Sequence, residues 1–279
     1  MCGRYAATAN PDELVLELEV EEDRTGEPSR SILKNPQDPP AGRPDHNMAP
    51  TKQAPVVLAR APREDRTAAA VRQLRLLTWG LVPSWSKDPG GGARMINARA
   101  ETVATKPAYA RALAARRCLV PAAGWYEWQA SPTATDAKGA PRKQPFFTHR
   151  ADRACVVMAG LYEFWRDPTV EDADDPLAWL TTFTVVTGTA EPGLDRIHDR
   201  QPVVLERDEW ARWLDPATGA DTVLDLLEPR APGRFEAYPV SRAVSSSRAN
   251  GPGLLEPLPD SELVGVVDPM TGEVVGGDA

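Results

Sequence analysis

A chain of 279 residues, 42% hydrophobic and 26% charged, has the make-up of a globular protein with a sizeable core. Its formal net charge of −8 excludes a protein that coats nucleic acid indiscriminately. No apolar run reaches the roughly eighteen residues of a membrane-spanning helix, no basic-then-apolar leader opens the chain, and three widely spaced cysteines form neither a disulfide framework nor a zinc motif. The expected setting is a reducing cytoplasm.

The chain opens Met1-Cys2-Gly3-Arg4. A small second side chain favours removal of Met1, which leaves Cys2 with a free α-amine beside its thiol. Such an amine has a pKa of roughly 7.7–8.0 against about 10.4 for lysine, so a usable fraction is neutral near pH 7. Terminal nucleophiles whose own amine takes part in the chemistry are an established device. The plain alternative is an ordinary frayed terminus.

Helical spacing follows at Pro11 to Leu18, with Asn10 as N-cap, and again at Glu101 to Ala115, Glu206 to Leu214 and Asp221 to Leu227. Residues 24–45 are polar and proline-laden and read as a long loop. Lys87 to Gly92, Ser131 to Arg142 and Asp167 to Pro176 read as further surface loops. Strand-like runs dominate between them: Pro55 to Arg60, Leu74 to Trp79, Cys118 to Trp128, Pro145 to His149, Ala154 to Trp165 and Leu180 to Thr187. Strands outnumber helices without alternating with them, so the expectation is α+β. It is a single domain over 1–260, with loop insertions near 24–45 and 167–176, and a C-terminal tail over 261–279.

Several segments could carry chemistry. Strand alternation puts Trp125, Glu127 and Gln129 on one face and Tyr126 and Trp128 on the other. A carboxylate beside indoles is desolvated and becomes a general-acid candidate. The segment Gly160-Leu161-Tyr162-Glu163-Phe164 echoes it, and the residues alone do not rank Glu127 above Glu163, which reads as a water-facing strand glutamate. His198, between Ile197 and Asp199-Arg200, is an acid–base candidate or a solvated loop histidine. In Met95-Ile96-Asn97-Ala98-Arg99, an amide and a guanidinium two residues apart can share a face, Asn97 to orient a polar group and Arg99 to grip a phosphate. Nine Lys/Arg residues stand against three acids between 94 and 143, which suits a confined anionic ligand. Trp79 and Trp85 flank a turn; core packing suits Trp79, and Trp85 is a base-stacking candidate. Cys118 and Cys155 read as buried and inert. No phosphate-binding, zinc-binding or nucleophile-elbow motif occurs, so no cofactor or metal is expected.

Taken in order, Met1-Cys2-Gly3-Arg4-Tyr5, Asn47-Met48-Ala49-Pro50-Thr51, Trp79-Gly80-Leu81-Val82-Pro83, Ile96-Asn97-Ala98-Arg99-Ala100-Glu101, Gly124-Trp125-Tyr126-Glu127-Trp128, Thr187, Ile197-His198-Asp199-Arg200-Gln201-Pro202-Val203 and Tyr238-Pro239-Val240-Ser241 resemble the SOS-response-associated peptidase family. Members of this family shield abasic sites in single-stranded DNA by crosslinking to them. The resemblance spans roughly residues 2–257. It implies a fold of mostly antiparallel, barrel-like β-sheets with a few flanking helices. It further implies Cys2 as nucleophile, Asn97 and Glu127 beside it, and His198 as acid–base partner. Arg4 and Arg99 would hold phosphates, with Asn47, Pro50, Trp85, Thr187 and Arg200 lining the DNA site. The chain departs from the pattern at Ser86, where some members carry a second tryptophan, and at Ser245, where asparagine is common. The implied protein is a cytoplasmic monomer, nucleoid-associated when bound to DNA. It would be shielding during the damage response and freed of Met1 by its own activity. An amide-cleaving N-terminal cysteine hydrolase and a non-covalent single-strand binding module are the rival readings.

Overall fold

The computed structural model describes residues 2–62, 65, 67–172 and 174–276. In chain order the elements are β1 (Arg4–Ala7), α1 (Pro11–Glu17), β2 (Glu22–Asp23), β3 (Asp45–Met48), β4 (Gln53–Arg60), β5 (Val71–Trp79) and β6 (Asn97–Arg99). There follow α2 (Pro107–Ala115), β7 (Arg117–Ala122), β8 (Gly124–Thr135), β9 (Pro141–Arg150), β10 (Val156–Arg166) and β11 (Trp179–Thr189). The chain closes with β12 (Arg200–Pro202), α3 (Trp210–Leu214), β13 (Phe235–Pro239), β14 (Val266–Val267) and β15 (Val274–Val275). No helix among the described residues is long and apolar enough to cross a membrane.

The strands β5, β4, β7, β10 and β11 form a closed ring. Their ladders are antiparallel except where β11 meets β5 in parallel, Thr182 opposite Thr78 and Phe183 opposite Trp79. A second sheet runs β13-β9-β8-β1-β3. The two sheets share a core. Inward residues of the ring (Val56, Leu77, Trp79, Val120, Met158, Phe183) cluster with Tyr5, Trp125, Phe146 and Phe235 of the second sheet, and Cys2 lies in the same cluster. Strand alternation sends Val57, Leu119, Val157, Leu161 and Val186 to the outer side of the ring. There Leu14 of α1, Leu113 of α2 and Trp213 of α3 cover them. The α+β, barrel-like, mostly antiparallel expectation matches this architecture.

Local chemistry accounts for the helix boundaries. Asn10 accepts from the Glu13 backbone N–H at 3.0 Å while the Glu13 carboxylate accepts from Asn10 N–H at 2.9 Å, a reciprocal cap with Pro11 at the first position. The helical pattern expected from Glu101 begins only at Pro107. A residue before proline is disfavoured in the helical region, so Lys106 is extended and 101–105 form turns. The pattern at Asp221 to Leu227 is a 3-10 turn over Ala220–Leu227.

One strand expectation and one loop expectation are corrected. Cys118 to Trp128 is not one strand. It breaks at Ala123, with β7 in the ring and β8 in the second sheet, so a single apolar run stitches both sheets together. Gly124 makes that crossing possible, since a Cβ there would collide with the Thr148 carbonyl oxygen and the Phe147 ring. Ser131 to Arg142 is not a loop: β8 runs through Thr135 and β9 starts at Pro141, with Thr135 opposite Pro141 beyond a register shift. The long loop of 24–45 is pinned to the ring by Gln37, which accepts from the Gln53 N–H at 2.7 Å, and by Lys52, which donates to the Asp38 carbonyl at 2.8 Å. The 167–176 loop is anchored by Arg30 on Asp167, and its Ala173 lies outside the described residues.

Candidate active site

Pairing of β1 with β8 aligns Arg4 with Tyr126 and Tyr5 with Trp125. The alternation expected on β8 is present. Trp125 joins the core cluster that holds Cys2, while Tyr126 and Trp128 pack in the cluster on the other face. Glu127, two residues from Trp125, is therefore delivered to the Cys2 side, and it is 5% exposed. On the opposite wall β6 lies parallel to β11, Asn97 opposite Val185 and Arg99 opposite Thr187. The Asn97 Nδ2 donates to the Cys2 carbonyl at 2.8 Å, and the Tyr109 hydroxyl of α2 donates to the Asn97 carbonyl at 3.1 Å. The Asn97 Oδ1 is buried with no hydrogen-bond partner among the described residues, and it is available to an incoming donor.

Burial sets the electrostatics. Glu127 is pushed up to about 7 because its charged form is desolvated, so near neutral pH it exchanges a proton readily. The Cys2 thiol is pushed far up by burial and next by the Glu127 charge, and it stays neutral. Burial also moves His198 below its usual value, with Asp199 opposing. The His198 Nδ1 lies 3.1 Å from the Arg200 N–H and 2.8 Å from Asp199 Oδ1. A neutral ring accepts from Arg200 at Nδ1, and a charged ring donates from Nδ1 to Asp199. The ring has a partner in either state. The charge of Asp199 in turn contributes to the raised Glu127, which places the His198 segment within electrostatic reach of that carboxyl.

The structure separates the two echoing glutamates. Glu163 is not water-facing: it is buried, accepts from Arg116 Nη2 at 2.7 Å and from the Phe164 N–H at 2.9 Å, and closes an ion pair. Glu127 is buried instead within electrostatic reach of the Cys2 thiol.

Residues 1–247 match the family model of the SOS response associated peptidases. The chain belongs to this family. Among its relatives, the abasic site processing protein YoqW of Bacillus subtilis is 31% identical over 259 residues, spanning 92% of this chain and 99% of that protein. The abasic site processing protein YedK of Escherichia coli is 30% identical over 260 residues, spanning 92% of this chain and 100% of that protein. HMCES of Mus musculus, also an abasic site processing protein, is 29% identical over 280 residues, covering 92% and 76% of the two chains. A solved structure from Bacteroides thetaiotaomicron superposes with a TM-score of 0.68 at 21% identity over 92% of this chain and all of that one, a likeness of fold. A phage-related protein from Bordetella bronchiseptica superposes with a TM-score of 0.59 at 30% identity, covering 89% and 99%.

The remaining family-implied positions divide by exposure. Arg99 is exposed and its guanidinium makes no hydrogen bond or ion pair among the described residues, and Trp85 is 68% exposed. Both face solvent where a ligand can meet them. Arg4 is half-committed: its Nη1 donates to Asn47 Oδ1 at 2.9 Å and to the Val244 carbonyl at 3.0 Å. Asn47 is fully buried, and its Nδ2 donates to the carbonyls of Val244, Ser246 and Ala249, so it holds Arg4 and the 244–249 turn and is closed to DNA. Thr187 is also buried, and its carbonyl accepts from Arg200, whose guanidinium is otherwise bidentate on Glu101 at 2.6 and 2.9 Å. Pro50 is half-buried, in the turn between β3 and β4. Ser245 keeps a polar contact despite the change from asparagine, accepting from Trp128 Nε1 at 3.1 Å. Sequence reasoning missed the buried Lys52–Asp45 pair at 2.7 Å, which braces β3 beside Asn47, and the linking role of Gln129, whose only signal was its period-two spacing from Glu127.

Proposed function

We propose that this protein captures abasic sites in single-stranded DNA as a covalent crosslink through Cys2, after removal of Met1. The observation that supports this reading is the setting of Cys2, its carbonyl held by Asn97 at 2.8 Å and its thiol within electrostatic reach of a carboxyl raised to about 7. The names of the relatives point to the same substrate.

An abasic deoxyribose opens to an aldehyde. The Cys2 α-amine adds to the aldehyde carbon, forming a C–N bond and a carbinolamine. Glu127 protonates the departing hydroxyl, which leaves as water while the nitrogen lone pair closes the C=N bond, and the N–H proton of this iminium returns to Glu127 to leave the imine. The thiol then adds to the imine carbon, forming the C–S bond, while its proton passes to the nitrogen. The product is a five-membered thiazolidine with one water lost overall. Its second ring-forming step is intramolecular and so benefits from high effective concentration. A neutral thiol fits this amine-first order, whereas amide hydrolysis needs a thiolate from the start. The thiazolidine carbon is no longer the iminium that drives β-elimination, so the strand is shielded from scission. His198 relays protons between the ring nitrogen and solvent. Arg4 and Arg99 meet the flanking phosphates and Trp85 stacks a base. The protein acts as a monomer and uses no cofactor. It works in the cytoplasm, on the nucleoid when DNA-bound.

Intact-mass measurement after incubation with an abasic oligonucleotide tests the reading. The expected species is the chain lacking Met1 plus the oligonucleotide minus one water, absent in Cys2→Ala. An adduct that survives Cys2→Ala, or none with the unaltered protein, overturns it.

A further inference from the structure

Residues 248–279 lie beyond the stretch that matches the family model, yet part of this segment touches the turn that carries His198. The Gln129 side chain links the two. Its Nε2 donates to the Arg196 carbonyl at 3.1 Å and to the Val267 carbonyl at 2.9 Å, and its Oε1 accepts from the Val267 N–H at 2.8 Å. Arg196 then reaches outward, Nη1 donating to the Pro269 carbonyl at 2.5 Å. The hairpin of β14 and β15 sits close on β8: the Ser131 hydroxyl donates to the Gly265 carbonyl at 2.6 Å. Gly265 has φ +56°, and a Cβ there would run into the Ser131 and Thr133 hydroxyls, so only glycine permits the approach. Leu263 and Val266 are buried in the same core cluster as Cys2 and Ile197.

We propose that residues 263–272 form a positioning strap for His198, with Gln129 and Arg196 as the links that hold the 194–198 turn against β8. The inference rests on the reading of His198 as the proton relay. Cys2, Asn97 and Glu127 stand on or beside β1, β6 and β8, and among the described residues the strap beyond Val267 bonds to Arg196 and to none of these three. His198 directly follows a single 3-10 turn, its N–H bonded to the Leu194 carbonyl, and its two preceding neighbours, Arg196 and Ile197, are committed to the strap or the core. Loss of the strap therefore loosens one catalytic group and spares the other three.

The test uses Arg196→Ala, an exposed position whose loss opens no core cavity, and a chain ending after Val267, which keeps the Gln129 contacts and the buried Leu263 and Val266. Crosslink formation and release are followed against pH on an abasic oligonucleotide. Non-covalent binding is followed on an oligonucleotide carrying an inert tetrahydrofuran site. Both variants should slow the His198-dependent step by about tenfold, part of the range a well-placed acid–base group supplies. They should flatten its pH profile as His198→Ala does and leave tetrahydrofuran-site binding and melting temperature unchanged. Arg196→Lys should recover part of the rate, because a lysine can still donate to Pro269. In a His198→Ala background neither change should add a further loss. An equal loss in that background, or unaltered rates in Arg196→Ala, overturns the strap. A His198→Ala protein with unaltered rates and pH profile overturns the relay reading itself, and the strap with it.

Discussion

Replacing Glu127 by glutamine separates what the carboxyl does for the fold from what it does for the chemistry. The folded protein holds this carboxyl at about 7 against an ordinary value of 4.5, by burial. Between those values the folded chain binds more protons than the unfolded chain, so stability falls as pH rises through the window. The difference amounts to about 3 kcal/mol once the carboxylate forms fully, above about pH 7, and to nothing below 4.5. Glu127→Gln keeps the shape and removes the charge. It should raise the melting temperature by up to about 5 °C at pH 8, for a chain of this length, and leave it unchanged near pH 4. Crosslinking should move the other way, slowing by about a hundredfold or more as the general acid is lost. The inflection near 7 should disappear from its pH profile. Melting curves for both proteins from pH 4 to 8, beside gel-resolved crosslink rates over the same range, make the comparison. A melting-temperature difference that does not change with pH would refute the argument, because a desolvated carboxyl must show its cost only where it ionises.

Other outcomes follow from the same geometry. Cys2→Ser keeps the amine and removes the thiol, so borohydride should trap an imine while the unreduced sample shows strand scission in place of a stable adduct. Arg99→Ala, which removes an exposed guanidinium with no hydrogen bond or ion pair among the described residues, should leave the melting temperature unchanged and reduce the salt slope of single-strand binding by about 0.7, the contribution of one phosphate contact. Gly124→Ala should destabilise the protein by about 1–3 kcal/mol in urea titration, since the new methyl group meets the Thr148 carbonyl and Phe147 ring at the crossing between the sheets.

Much of the site was legible residue by residue. The alternation around Trp125, Glu127 and Gln129 announced a shared face, and the structure keeps it. The run of polar residues at Arg196 to Gln201 marked an irregular segment, and it leads from the end of a 3-10 turn at Arg196 into β12 at Arg200. The burial of Glu163 was not legible. Its surroundings in sequence mirror those of Glu127, and what distinguishes them is Arg116, which ends α2 and sits 47 residues away in the chain. The burial of Asn47, which the family resemblance places at the DNA site, was not legible either, because the 244–249 carbonyls that enclose it come from the far end of the chain.

The sequence by itself determined the periodicities, the caps and the two nucleophiles on Cys2. These are properties of neighbouring residues, decided by rotamers, backbone preferences and bond topology. Only the tertiary structure decided which polar groups lose their water. It folds the run from Cys118 to Trp128 across two sheets and closes β5 on β11. It thereby brings Asn97 to the Cys2 carbonyl over 95 residues and leaves Glu127 only 5% exposed. A carboxyl raised to about 7 is a consequence of that burial, and burial is a property of what the distant chain packs against.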